Sequence, residues 1–102
     1  MSTDIDMVPD RALIRAAHGS QGVKALIKAY SATVKAQHEA QRLLDRAFRR
    51  GEAKANPAEV AEADKACAAA NETERALHIL WRSMGYQDCS TFLIGRAIEW
   101  SL

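Results

Sequence analysis

The chain has 102 residues, of which 48% are hydrophobic and 6% aromatic, and its formal net charge is +1. A chain of this length forms one domain with a modest core, and an alanine-rich, aromatic-poor composition favours helices over a sheet. The near-neutral charge excludes a strong global attraction to nucleic acid or to a membrane. The two cysteines, Cys67 and Cys89, are too few for a disulfide scaffold, so we expect free thiols in a cytoplasmic protein.

The first twenty residues predict a loose arm followed by a short helix. Residues 1–8 include two aspartates and little to bury, and they lack the basic and apolar segments of a signal peptide. Pro9 suits the first position of a helix and Gly19 suits its end, which predicts a short helix over 9–18. No later apolar run reaches the length of a membrane span, so we expect no membrane association.

Two long helices are predicted next, over 20–50 and 57–84. Gly51 suits the end of the first, while Asn56 and Pro57 suit the cap and the first position of the second. Their short connection is typical of antiparallel neighbours. At 100° per residue, one face of the first helix contains Val23, Leu26, Ile27, Tyr30, Val34, Gln37, Gln41, Leu44 and Phe48. The facing stripe of the second contains Ala63, Ala66, Ala70, Thr73, Leu77, Leu80, Trp81 and Met84.

These stripes predict a hairpin that is tight at one end and splayed at the other. Alanines near the connection let the helix axes approach, whereas Trp81 and Leu77 keep them apart, so that a third element fits at the open end. Gln37 and Gln41 leave two alternatives. Either the hairpin is open to water at their level, or their amides bond across an interface and fix its register.

A final helix is predicted over 88–101, capped by Asp88 or Ser90. It has apolar residues on two sides, with Phe92, Leu93 and Trp100 on one and Ile94 and Ile98 on nearly the opposite one. Because a single chain does not easily cover both sides, we expect a homodimer. The predicted fold is one all-α domain over 1–102, a long antiparallel helical hairpin with short N-terminal and C-terminal helices in a dimeric bundle.

The sequence offers no recognisable catalytic or metal-binding motif. His38 and His78 lack the spacing of a metal site, and neither cysteine lies in a nucleophile motif. Glu74 stands four residues before His78, a spacing that allows a local carboxylate–imidazole contact. We therefore expect a protein that is not an enzyme, with no catalytic residue, no metal, no cofactor and no small-molecule substrate.

Basic residues follow one side of the first long helix. They are Lys24, Lys28, Lys35, Arg42, Arg46, Arg49 and Arg50. Such a face binds phosphates in some proteins, which gives the alternative hypothesis of a nucleic-acid-associated or assembly module. The interpretation that we favour is a solvated face that meets Glu59, Glu62 and Asp64 on the neighbouring helix. We therefore do not expect nucleic acid to be the main partner.

The end of the second long helix resembles a known family. The segment Ala76-Leu77-x-x-Leu80-Trp81-x-x-Met84-Gly85-Tyr86 is similar to the end of the long C-terminal helix in TraM-type quorum-sensing antiactivators. The plan of two long antiparallel helices also resembles that family and the functionally related QslA antiactivator. The helix over 88–101 departs from TraM, which puts its mode of dimerisation in doubt here. The resemblance implies a cytoplasmic bacterial protein that binds a LuxR-type transcription activator and keeps it off its promoters.

The leading hypothesis is thus an antiactivator that acts by stoichiometric binding and blocks dimerisation or DNA binding of a LuxR-type activator. Two apolar clusters are its candidate surfaces. The first contains Leu77, Leu80, Trp81, Met84 and Tyr86, and the second contains Phe92, Leu93, Ile94, Ile98 and Trp100. We expect one cluster to support the fold or the homodimer and the other to anchor the activator, since a few buried aromatic and aliphatic residues dominate such interfaces.

Overall fold

The structure, a computed structural model, describes residues 9–49 and 54–99. These residues form three helices, α1 (Arg11–Ala47), α2 (Pro57–Ser83) and α3 (Thr91–Glu99). α1 and α2 form a long antiparallel pair and α3 is a short C-terminal helix, so the predicted all-α hairpin is confirmed. The first long helix, predicted over 20–50, ends earlier, at Ala47, because Phe48 is its C-cap residue. The predicted arm over 1–8, residue Gly51 and the end of the last helix at 100–101 lie outside the described residues.

The predicted short N-terminal helix is the first part of α1. Gly19 interrupts the helix with φ 75° and ψ 177°, a left-handed φ that glycine adopts without steric cost, and it separates residues 11–18 from residues 20–47. The helix begins at Arg11 rather than at Pro9, because the Asp10 side chain caps it and accepts a hydrogen bond from the Leu13 N–H at 2.8 Å. The break lets the first part turn toward the core, where Ile14 is buried.

The ends of α2 follow the predicted capping chemistry. The Asn56 side chain accepts a hydrogen bond from the Ala58 N–H at 2.9 Å, and Pro57 occupies the first helical position. At the other end, Met84 is the C-cap residue of α2. Gly85 follows it with φ 92°, the left-handed conformation that commonly ends a helix. Local sequence signals therefore place both ends of α2.

The face of α1 that meets α2 differs from the predicted stripe in its middle. The buried residues there are Thr33, Ala40, Leu43 and Ala47, whereas Val34 and Leu44 are half-buried and the two glutamines are exposed. Ala63 and Ala70 of α2 are also buried, so small side chains make up much of the seam between the two helices, and small side chains let helix axes approach each other. The Thr33 hydroxyl lies in this seam between two carbonyl oxygens, that of Ala29 in its own helix at 2.9 Å and that of Thr73 in α2 at 3.2 Å, and its single proton is shared between them.

The exposed position of Gln37 and Gln41 decides between the two alternatives given for them. Gln41 donates to Asp45 of its own helix at 2.8 Å, and Gln37 donates to Glu74 at 3.3 Å at the solvent-facing edge of the hairpin. Water reaches both amides. Neither amide therefore carries the free-energy cost of a buried, unpaired polar group.

The core lies at the open end of the hairpin, where α3 packs mainly on α1. Its buried residues are Ile14, Val23, Leu26, Leu77, Trp81, Ile94, Ala97 and Ile98. Gly95 makes the close approach of α3 possible, because a Cβ atom there would lie 2.5 Å from the Tyr30 Cζ atom. Ser90 caps α3 by accepting from the Leu93 N–H at 3.2 Å, so the helix starts three residues later than residue 88.

Candidate interaction surfaces

The two predicted interface clusters do not separate into a core cluster and a surface cluster. Leu77 and Trp81 from the first cluster and Ile94 and Ile98 from the second are all buried in the same core. The expected division is therefore wrong for these four residues, because α3 inserts its Ile94 and Ile98 side against the open end of the hairpin. Leu80, Met84 and Tyr86 are half-buried and pack against this core.

The outer side of α3 remains uncovered by the described residues. Phe92 has 66% of its surface exposed, and Leu93 beside it is half-buried. The guanidinium carbon of Arg96 lies 5.5 Å from the centroid of the Phe92 ring, a cation–π arrangement one helical turn along. Trp100, predicted on this same side, lies outside the described residues. An exposed aromatic ring beside an arginine has the composition typical of an interface anchor.

Trp81 fixes the turn between α2 and α3. Its indole N–H donates to the Gln87 carbonyl at 2.9 Å, and its ring lies 4.8 Å from that of Tyr86. The Tyr86 ring also meets His18 edge-on, with centroids 5.5 Å apart. Burial among these groups raises the pKa of the Tyr86 phenol above its ordinary value. The side chains of Trp81 and Tyr86, near the end of the segment 76–86, thus hold α1, α2 and the turn together.

A polar network joins the start of α3 to α2. The Nδ1 atom of His78 lies 2.8 Å from an Asp88 carboxylate oxygen, and its Nε2 atom lies 2.9 Å from the Thr91 hydroxyl oxygen. The Thr91 hydroxyl donates to Glu74 at 2.6 Å, and Glu74 also accepts from Gln37 of α1. The carboxylate in contact with His78 is thus Asp88, and the expected local contact with Glu74 is replaced by a link through Thr91.

This network works as a structural clamp. An Asp–His–Thr series has the order of a nucleophile and its base, but the Thr91 proton is directed to the Glu74 carboxylate, away from the imidazole. The His78 ring holds the pKa of Asp88 below its ordinary value, chiefly through their hydrogen bond. Sequence spacing does not reveal the pairing, because the path of the turn after Gly85 brings Asp88 and Thr91 back to His78.

The basic face of α1 is partly neutralised by acidic residues. Arg42 pairs with Glu39 at 2.6 Å, and this hydrogen bond lowers the pKa of Glu39 and raises that of Arg42. Arg46 spans the hairpin to Glu59 at 3.0 Å and Glu62 at 3.2 Å, two of the three acids that the favoured interpretation named. Four further basic residues are exposed, namely Lys24, Lys28, Lys35 and Arg49, while Arg50 lies outside the described residues.

Within residues 9–49 and 54–99, no group of three or more histidine, cysteine, aspartate or glutamate side chains is placed to hold a metal ion. Cys67 and Cys89 are half-buried and are not joined in a disulfide. Among the helices described, none combines the length and the apolar character needed to cross a membrane.

Comparisons of the chain with protein-family models, with curated proteins and with solved structures find no match. What supports a function is therefore the chain's own residues and the local resemblance at residues 76–86.

Proposed function

We propose that this protein is an antiactivator that binds a LuxR-type transcription activator stoichiometrically and blocks its dimerisation or its DNA binding. The resemblance of residues 76–86 to the TraM-type helix end supports this proposal. We place the protein in the cytoplasm, where such an activator acts. Stoichiometric occlusion needs an exposed binding surface and no catalytic group, so the proposed protein is not an enzyme.

The observation that carries the proposal is the exposure of Phe92. A phenylalanine with two thirds of its surface in water, 66%, gains free energy when a partner covers it. Phe92 is presented by a helix whose opposite side is fixed in the core through Ile94 and Ile98. A rigid platform of this kind limits the entropy lost on binding.

We also propose a homodimer, and we assign it to the same side of α3. Within the chain, Ile94 and Ile98 are already covered, so the side with Phe92 and Leu93 is the one left for a partner. In this proposal a second copy covers Phe92 in the free protein, and the activator replaces that copy in the complex. Binding of the activator and self-association are therefore mutually exclusive.

The test is a titration of the purified protein into a complex of a LuxR-type activator from the same organism with its fluorescent promoter duplex. We expect release of the duplex to be complete near one chain per activator protomer. The same titration into the duplex alone at low salt separates the antiactivator from the nucleic-acid module. Direct binding of the duplex, or no release at excess protein, would contradict the proposal.

The basic-face alternative is less well supported. Arg42 and Arg46 are already paired with glutamates, so two of its seven basic side chains offer less charge to a phosphate backbone. The other exposed basic residues, Lys24, Lys28, Lys35 and Arg49, are spread along the whole of residues 24–49, a sparse charge distribution for the many phosphate contacts that give tight binding without sequence readout.

A further inference from the structure

An open groove of about 840 Å³ lies between α1 and the end of α3. Its apolar floor is formed by Ile27, Tyr30 and Val34 of α1 and Ile98 of α3. The three α1 residues recur at spacings of three and four, so they form one stripe along the helix. This stripe was predicted to face α2, but the small-residue seam takes that place and leaves the three side chains half-buried beside the groove.

The rim of the groove is mainly basic. Arg11, Lys28 and Lys35 contribute positive charge, against the single acidic residue Glu99 among the described lining residues. Arg11 donates a hydrogen bond from Nη1 to the Ile98 carbonyl at 3.4 Å. Its Nε atom is buried and has no hydrogen-bond acceptor among the described residues. The buried Nε atom is out of a ligand's reach, but a guanidinium at the rim of the groove still favours a carboxylate on whatever binds there, because charge-assisted hydrogen bonds to carboxylates are strong.

The dimensions fit a short helix. Beyond the break at Gly19, the lining residues of α1 run from Ile27 to His38, which corresponds to about 16 Å of helix, or about three turns. Lys28, Ser31, Lys35 and His38 along this stretch are exposed, so the groove is an open trough and not an enclosed cavity. An open apolar trough suits the apolar face of an amphipathic helix, which is a common mode of peptide recognition.

We propose that this groove binds an amphipathic, acidic helical segment of another protein. Its apolar side lies on Ile27, Tyr30 and Val34, a carboxylate pairs with Arg11, and further carboxylates meet Lys28 and Lys35. Phe92 is not a lining residue, so the groove is a second surface whose role is independent of the activator proposed above.

The probe is a fluorescein-labelled peptide of about three helical turns, with leucines on one face and glutamates at its edges. A matched peptide has lysines in place of the glutamates. Anisotropy with the full chain should show binding of the acidic peptide, and amide shift changes should map to Ile27, Tyr30, Val34 and Ile98. Equal affinity for the two peptides, no binding, or shift changes confined to other residues would overturn the proposal.

Two charge-reversal variants sharpen the test. Lys35→Glu should weaken binding of the acidic peptide about fivefold, the ratio expected for the loss of one exposed charge pair. Lys65→Glu makes the same change in net charge on exposed α2 surface and should leave the affinity within twofold, since Lys65 does not line the groove. Equal losses in both variants would show a general charge effect and reject the groove.

Measurements on the free protein distinguish the two other possible occupants of the groove, the chain's own C-terminal segment and a second copy. Persistent NMR contacts between the Trp100 indole and the Val34 methyl groups would show that the chain's own C-terminal segment fills the groove. A dimer that is lost in Val34→Asp, with the circular dichroism spectrum unchanged, would assign the groove to a second copy. Either result would overturn the proposal of an acidic helical partner.

Discussion

Gly95→Ala tests whether α3 is seated on α1 as described. A Cβ atom at position 95 would lie 2.5 Å from both Cζ and the hydroxyl oxygen of Tyr30. Carbon atoms in contact are about 3.5–4.0 Å apart, so α3 or the ring must move by about 1 Å. Such overpacking costs about 2 kcal/mol, while alanine gains about 1 kcal/mol of helix propensity over glycine. We expect a net loss of about 1 kcal/mol in the free energy of unfolding.

The same substitution should change sign once the tyrosine ring is removed. In a Tyr30→Val background the ring atoms that meet the new methyl group are absent, so Gly95→Ala should stabilise the protein by about 1 kcal/mol through helix propensity alone. Urea unfolding of the native chain, the two single variants and the double variant, followed by circular dichroism, measures the coupling energy between positions 30 and 95. A cost of Gly95→Ala that is equal in both backgrounds would refute the packing of Gly95 on Tyr30.

Three further substitutions test the other contacts that hold the hairpin and α3. Thr33→Val should lower the free energy of unfolding by about 1 kcal/mol, because the hydroxyl that bonds the Thr73 carbonyl is lost. Thr33→Ser keeps the hydroxyl and should lower it less. Equal losses in the two variants would contradict this role of the hydroxyl. Asp88→Asn should destabilise the protein at pH 7, with a difference from the native chain that shrinks below about pH 4. The lowered pKa of Asp88 gives stability that is present above the ordinary aspartate pKa and lost as the pH falls through the folded value; a difference constant from pH 7 to pH 2 would argue against the His78 contact. Arg46→Ala should cost less than about 1 kcal/mol, because its two ion pairs are exposed, and the loss should nearly vanish in about 1 M salt; a salt-independent loss would point to packing of its alkyl stem.

Both ends of α2 were predictable because their signals are local. Asn56, Pro57 and Gly85 act through their own backbone and nearest neighbours, and the structure places each of them as the sequence indicates. The same holds for Gly19, whose left-handed φ separates the two parts of α1. The identity of the cap at Asp10 was missed because Pro9 gave a competing signal for the first helical position.

The contact face of α1 was not predictable from apolar character alone. A stripe drawn through the large apolar residues includes Tyr30 and Val34, but close helix packing selects small side chains, and Thr33 and Ala40 are buried instead. Because the small residues of α1 face α2, the large apolar side chains of α1 are left beside α3, where they line the groove. The network around His78 was hidden for another reason, because its partners Asp88 and Thr91 are positioned by a turn that Trp81 fixes from within the core.

The measurement that tests the proposed function most directly is the dissociation constant of the complex with a LuxR-type activator. Phe92→Ala should weaken it about thirtyfold, the ratio expected when a central aromatic anchor worth about 2 kcal/mol is lost. Leu13→Ala is the matched control, because Leu13 is 60% exposed on α1 and has no assigned role. Both variants should keep the helical content of the native chain, as measured by circular dichroism. Unchanged affinity in Phe92→Ala, or an equal loss in Leu13→Ala, would contradict the assignment of the activator to the outer side of α3.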